Sequence, residues 1–154
     1  MRIGRRHYGV AAAALLATGA LVVGCGGSDD SSTTTALSQS EFVAKATAIC
    51  RPANEQIEAA AHKILGSGGR PTPQEFEQFA TSAVIPQTQA VIDKFKGLTP
   101  PSDQAQTYDA LIEELQSTND QLKANPERLL AHGNPFAKSN QLATQAGLDV
   151  CAAD

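Results

Sequence analysis

The side chains able to do chemistry in this chain are few, and its three cysteines carry the most information. Cys25 follows Leu21-Val22-Val23-Gly24, which looks like a lipobox. At such a site a diacylglyceryl group is joined to the sulfur, and a dedicated peptidase cuts between Gly24 and Cys25. That assignment changes the arithmetic of the other two. Three thiols leave an odd one in an oxidising compartment, whereas lipidation of Cys25 leaves Cys50 and Cys151 as a pair for one disulfide. Two separate buried thiols are the alternative. A zinc or redox site is a poorer reading, because the chain has no Cys-x-x-Cys and the two residues stand about 100 positions apart.

The remaining candidates are weaker. Glu58 and His62 are four residues apart and share a helical face, the minimum for a metal or proton-transfer pair. Both lie off the apolar stripe, and the inward Glu-x-x-His carboxylate sets of di-metal bundles are missing, so the pair reads as exposed. His132 precedes Gly133-Asn134-Pro135, where an imidazole meets the carbonyls of a helix end. Glu113 and Glu114 diverge as helix neighbours, and Glu77 and Asp93 lie elsewhere, so these acids read as solvated rather than as an acid–base pair. No serine sits in a Gly-x-Ser-x-Gly elbow, and the glycine cluster at 66–69 lacks the Lys-Ser/Thr of a phosphate loop. The expectation is no catalytic residue, no metal, no cofactor and no enzyme.

What precedes Cys25 has the order of an export signal. Arg2, Arg5 and Arg6 form a basic start, and an apolar run from Val10 to Val23 follows. About 14 residues fall short of the roughly 20 needed to cross a bilayer as a helix, which disfavours a permanent transmembrane anchor. Arg5-Arg6 also raises twin-arginine export, although His7-Tyr8-Gly9 continues that pattern poorly. Residues 1–24 are therefore read as a signal peptide. Residues 25–37 are read as the lipidated cysteine and a tether whose Gly, Ser, Asp and Thr have almost nothing to bury. A flexible coil of roughly 12 residues reaches about 20 Å, enough to hold a domain just off a membrane. Two acyl chains give stable residence on that membrane, so the expected location is the extracytoplasmic face of the cell membrane, lipid-anchored through Cys25.

Removing the signal takes away three arginines and no acid, which moves the formal charge from −4 to about −7. An acidic domain without clustered Lys or Arg lacks the footprint of a nucleic-acid binder, so no nucleic-acid partner is expected. Residues 38–154 suit a single domain with one core. With 5% aromatic residues and no Trp, that core must be built from aliphatic side chains and a few Phe, and it benefits from a covalent staple.

Four helical segments would position these residues. Phe42, Ala46, Ile49, Ala53, Ile57, Ala60 and Ile64 recur at three- and four-residue steps, with Pro52 predicting a kink or break near Cys50–Arg51. Gly66 and the residues after it end that helix. Thr72-Pro73-Gln74-Glu75 is a capping box with proline at the first helical position. The second helix then points Phe76, Phe79 or Ala80, Ala83, Val84, Val91 and Phe95 inward, with a kink at Pro86. Pro100-Pro101 make a stiff turn. The third helix follows as Ala105, Tyr108, Leu111, Ile112, Leu115 and Leu122, with Asn119 on the same seam bonding to a neighbour. The last segment restarts at Asn125-Pro126 and at Asn134-Pro135, and closes at Gly147-Leu148. No stretch alternates as a strand does. The class is all-α, a single small bundle of four helices in up-down order with proline kinks, stapled by one disulfide.

Phe42-Val43-x-x-Ala46-x-x-Ile49-Cys50, then Ala53-Asn54, with Gly147-Leu148-x-x-Cys151 at the far end, resembles a family of small secreted lipoproteins from actinobacteria. The resemblance implies that the two ends of the domain pack together and are joined by the two cysteines, while the middle helices vary. Pro52 departs from the pattern. No activity comes with the resemblance.

Two kinds of function fit these observations. The first is a non-enzymatic interaction or structural module of the cell envelope, with an envelope protein as partner. The second is a carrier or sensor that binds an apolar small ligand or a metal between its helices, for which the proline kinks and alanines would leave a gap. Replacing Cys25 by Ala is expected to abolish lipid labelling without unfolding the domain, since the anchor lies outside it. Metabolic labelling with a fatty acid checks this, and a Cys25→Ala chain that still takes up label would contradict it.

Overall fold

The computed structural model describes residues 36–66, 70–130 and 133–152. The export signal, Gly24, Cys25, most of the tether and His132 lie outside the described residues, as do Ser67, Gly68 and Gly69. The described residues are helical, with no strand among them.

Helix α1 spans Gln39–Leu65. Ser38 caps it: the Ser38 hydroxyl accepts from the Glu41 N–H, and the Glu41 carboxylate accepts from the Ser38 N–H at 3.1 Å. The Ser38 hydroxyl also donates to the Glu41 carboxylate, and that bond, followed by the one from the Ser38 N–H, favours the charged form and holds Glu41 below the usual carboxylate range. Of the kink or break expected near Cys50–Arg51, the break does not occur, since α1 runs unbroken through Pro52. Ala48, Arg51 and Pro52 all lie on the exposed side of the helix. Water can therefore take the carbonyl that proline leaves without a donor.

Helix α2, Pro73–Phe79, starts at the expected capping box, where the Glu75 carboxylate accepts from the Thr72 N–H at 2.7 Å. It continues through a π turn, Ala80–Val84, into α3, Ile85–Phe95. The distortion expected at Pro86 thus takes the form of a widened turn just before it, in which the Ile85 N–H reaches back to the Ala80 carbonyl. The Thr81 and Ser82 hydroxyls donate to the carbonyls of Glu77 and Gln78 at 2.8 and 2.6 Å, which satisfies backbone groups around the irregularity.

Helix α4, Ala105–Ala124, follows the proline turn. The last segment is broken as expected, into a 3₁₀ turn at Pro126–Leu130 and helix α5, Ala137–Gln145. Asn125 and Asn134 each accept, through the side-chain oxygen, the N–H two residues on, at 3.1 and 2.8 Å. Gly147 takes φ +71°, and the Leu148 N–H bonds to the Ala143 carbonyl, so Leu148 folds back and is buried. A 3₁₀ turn, Asp149–Cys151, then brings Cys151 to α1. The Cys50–Cys151 disulfide closes there, with the Cα atoms 5.2 Å apart.

The interior has two packed clusters. In one, Phe42 meets Tyr108 edge to face at a centroid distance of 5.0 Å, and Phe95 lies 5.5 Å from the same ring. Tyr108 donates to the Phe95 carbonyl at 2.9 Å, and burial pushes its phenol up from the ordinary range. Ala46, Cys50, Leu111, Ala143, Ala146 and Leu148 complete this cluster. The other cluster is smaller: Phe79, Ala83, Val84 and Leu122. The expected inward faces are slightly out of phase. Ile49, Val91 and Leu115 are only half-buried, while Cys50, Ile92 and Thr118 are buried in their neighbourhood.

The disulfide ties two positions separated by 101 residues, nearly the whole domain. On the chain-entropy model such a crosslink contributes up to about 4 to 5 kcal/mol, and measured effects are often smaller. Reduction should lower the melting midpoint by about 10 °C or more if about 2 to 4 kcal/mol is lost, with helix content largely retained below the transition. Thermal melts followed by circular dichroism with and without reductant check this; coincident melts would mean that the crosslink contributes nothing.

Candidate functional site

Between the two clusters lies a cavity of about 600 Å³. Its wall draws on both: Cys50, Phe95 and Leu111 belong to the larger cluster, Phe79 and Val84 to the smaller. Helix α1 supplies two parallel stripes at four-residue spacing. Ala53, Ile57 and Ala61 form one, and Cys50, Asn54 and Glu58 the other. Alanine at 53 and 61 leaves space that a longer side chain would fill. Opposite, α3 contributes Thr88 and Val91, and α4 contributes Leu115. Leu129, from the 3₁₀ turn, and Phe136, just before α5, close another side. The disulfide is part of the wall, through both Cys50 and Cys151.

The polar groups on this surface are mostly neutral amides: Asn54, Gln87, Asn134 and Asn140. Asn54 donates to the Val150 carbonyl at 2.8 Å, which ties α1 to the final turn beside the disulfide. Gln87 donates to Gln56 at 2.8 Å, which ties α3 to α1. Thr88 lines the cavity while only 8% exposed. Glu58 is the one charged residue of the described lining, and no Lys or Arg belongs to it.

Cys50 and Cys151 are brought together, and Glu58 and His62 face one another with the Glu58 Oε1 and His62 Nε2 atoms 3.8 Å apart. Both side chains of the latter pair are open to solvent, at 75% and 80% exposure, and no group of three His, Cys, Asp or Glu side chains suited to a metal ion occurs among the described residues. Glu114 pairs with Lys138, Asp93 accepts from Gln89 at 3.0 Å, and Glu77 and Glu113 are exposed. These acids are not gathered into one site. Asn119 lies on the α3–α4 seam as expected, where its side-chain amide donates to the Gln89 Oε1 at 3.2 Å. Its own Oδ1 is buried with no hydrogen-bond partner among the described residues.

Apolar periodicity marks the Ala53-Ile57 stripe as core and does not mark the adjacent Cys50-Asn54-Glu58 stripe or the Gln87-Thr88 edge, whose signal in the sequence is a mixture of amide and apolar residues at helical spacing. Compared with protein-family models, with curated proteins and with solved structures, the chain matches none. No helix among the described residues is long and apolar enough to cross a membrane.

Leu115 borders open space whereas Leu122 is fully enclosed. Leu122→Ala should therefore cost about 2 to 5 kcal/mol by creating a new cavity, and Leu115→Ala should fall at or below the low end of that range because it only widens an existing one. Urea unfolding of the two variants checks the order.

Proposed function

We propose that this protein is a lipid-anchored, extracytoplasmic carrier or sensor that holds a small apolar ligand between its helices. The observation that carries the reading is the cavity: about 600 Å³, walled by Ile57, Phe79, Val91, Leu115 and Phe136, with a few amides at its edge. Small-molecule sites are concave, mostly apolar and sized between about 300 and 1,000 Å³, with a small number of polar groups to orient the ligand. The interaction or structural module has less to rest on. The exposed large apolar side chains among the described residues are Leu130 and Val150, each about two-fifths exposed, and single exposed apolar residues are ordinary on any surface.

The lipobox at Cys25 supports the location. Anchoring a binding domain through Cys25 would place the cavity near a membrane, where apolar molecules are concentrated. Resemblance to secreted lipoproteins of actinobacteria agrees with this placement and adds no activity.

The test is to isolate the protein from its own membrane and identify what accompanies it by mass spectrometry of both small molecules and proteins. An apolar compound at near-stoichiometric amount is expected, and a stoichiometric protein partner with no small molecule would favour the interaction module instead. A cavity-filling change, Val91→Phe, should remove the bound compound while leaving the fold at least as stable, by up to about 2 kcal/mol. Loss of the compound together with a lowered melting midpoint would point to general disruption rather than occupied space.

A further inference from the structure

If the cavity holds an apolar ligand, its edge limits the head group that ligand can carry. We propose that the ligand is an uncharged amphiphile, with an apolar body and a hydroxyl or comparable neutral head, and that the site discriminates against anionic lipids such as free fatty acids. This rests on the carrier reading above and adds the chemistry of the ligand to it.

An ionised carboxylate taken into an apolar wall must find a cation or several donors, or else it stays in water or binds as the protonated acid. The lining offers no Lys or Arg. Two edge amides each spend one N–H within the protein, Asn54 on the Val150 carbonyl and Gln87 on Gln56, so what the lining presents is dispersed neutral donors and not a cation. The one charged side chain, Glu58, is negative and stands at the edge of the α1 stripe. His62 lies 3.8 Å from it, but both side chains are well solvated, so the pair puts no buried positive charge in the cavity. The wider field has the same sign, since the chain carries 16 acidic and 12 basic residues. A neutral head meets none of these penalties. Amide oxygens at the edge can accept from a hydroxyl while the apolar body lies against Ile57, Val91, Leu115 and Phe136.

A cation would be tolerated by Glu58 but has little to gain. That carboxylate is 75% exposed, and an ion pair so open to water contributes little beyond what the solvated ions already have. Electrostatics thus disfavour the anion more than they favour the cation, and the neutral head is what the lining fits.

The test uses the full chain, oxidised and held in lipid nanodiscs, with decanol, sodium decanoate and decylammonium as probes of one chain length at pH 7.5. Thermal unfolding is followed by circular dichroism, and binding is read as the rise in melting midpoint with ligand concentration. Decanol should bind about tenfold or more tightly than decanoate and more tightly than decylammonium. Because alcohols are intrinsically more apolar than carboxylates, the decisive comparison is Leu115→Lys, with Val91→Lys as a second position should that variant fail to fold, each setting a cation in the cavity wall. In the folded variant the ratio of decanol to decanoate affinity should fall by about fivefold or more, whatever happens to decanol binding itself. A decanoate or decylammonium affinity equal to or above that of decanol overturns the inference, as does a ratio that the wall lysine fails to lower. If none of the three probes shifts the wild-type midpoint, the carrier reading itself fails.

Discussion

The bond between Cys50 and Cys151 fixes the frame on which the rest of the structure depends. It joins the middle of α1 to the turn after α5, so the first and last helical segments are held against each other whatever lies between them. A bundle with 5% aromatic residues and alanines at many inward positions has little side-chain volume with which to fill its own centre. In an uncrosslinked chain that deficit would favour collapse or unfolding, because unfilled space forfeits dispersion contacts on every face that borders it. The crosslink acts on the other side of the balance by restricting the unfolded chain. A domain stabilised in this way can leave its interior open and still fold.

Around that frame the packing is divided rather than continuous. At one end Phe42 meets the Tyr108 ring edge to face and Phe95 lies tilted against it, and the Tyr108 hydroxyl is anchored on the Phe95 carbonyl. An aromatic hydroxyl bonded to backbone in a buried setting fixes the ring's position as well as satisfying the polar group. Along α3 and α4 a polar seam does the same for register. Gln89 accepts from Asn119 at 3.2 Å and from Lys123 at 2.7 Å, and Lys123 also donates to Asp120. The hydrogen bonds from Lys123 and Gln116 hold the Asp120 carboxyl below its ordinary range. These specific contacts define how the helices meet. The half-open cavity beside them is bordered by Ala53, Ala61, branched side chains and Phe79, Phe95 and Phe136.

The frame was legible in the sequence, because caps, turns and cysteine arithmetic are local or discrete signals. Thr72 with Glu75 and Gly147 before Leu148 carry their geometry in the residue types and appear where those types require it, whereas Asn134 bonds the Phe136 N–H in a turn and α5 starts only at Ala137, with Phe136 at its cap. Whether Pro52 breaks α1 is not legible, for the opposite reason. Its effect depends on which side of the helix its lost hydrogen bond faces, and that is a tertiary fact. Ile49 and Val91 were placed inside by periodicity, yet Cys50 and Ile92 are the more deeply buried, a shift of one residue that the broad apolar face of a small helix permits. The cavity was the least legible feature. Periodicity marks a face as apolar but does not say whether the facing helix comes close enough to cover it, and the stripe at Ala53, Ile57 and Ala61 would read the same over a packed seam as over a void.

Pro86 and the π turn before it link the backbone to that void. A proline near the middle of a long helix removes a donor and crowds the preceding turn, and here the chain responds with five residues of wider winding. One extra residue in the turn rotates everything after it relative to everything before, so the faces of α2 and α3 need not lie on a single stripe. Phe79 and Val84, on one side of Pro86, pack into the smaller cluster. Val91 and Phe95, beyond it, belong with the larger one. Both sets also line the cavity, which therefore sits where the two packing directions part. A continuous helix in this position would favour one uninterrupted seam. The irregular winding allows two, and the space between them is where a ligand can be held without displacing either core.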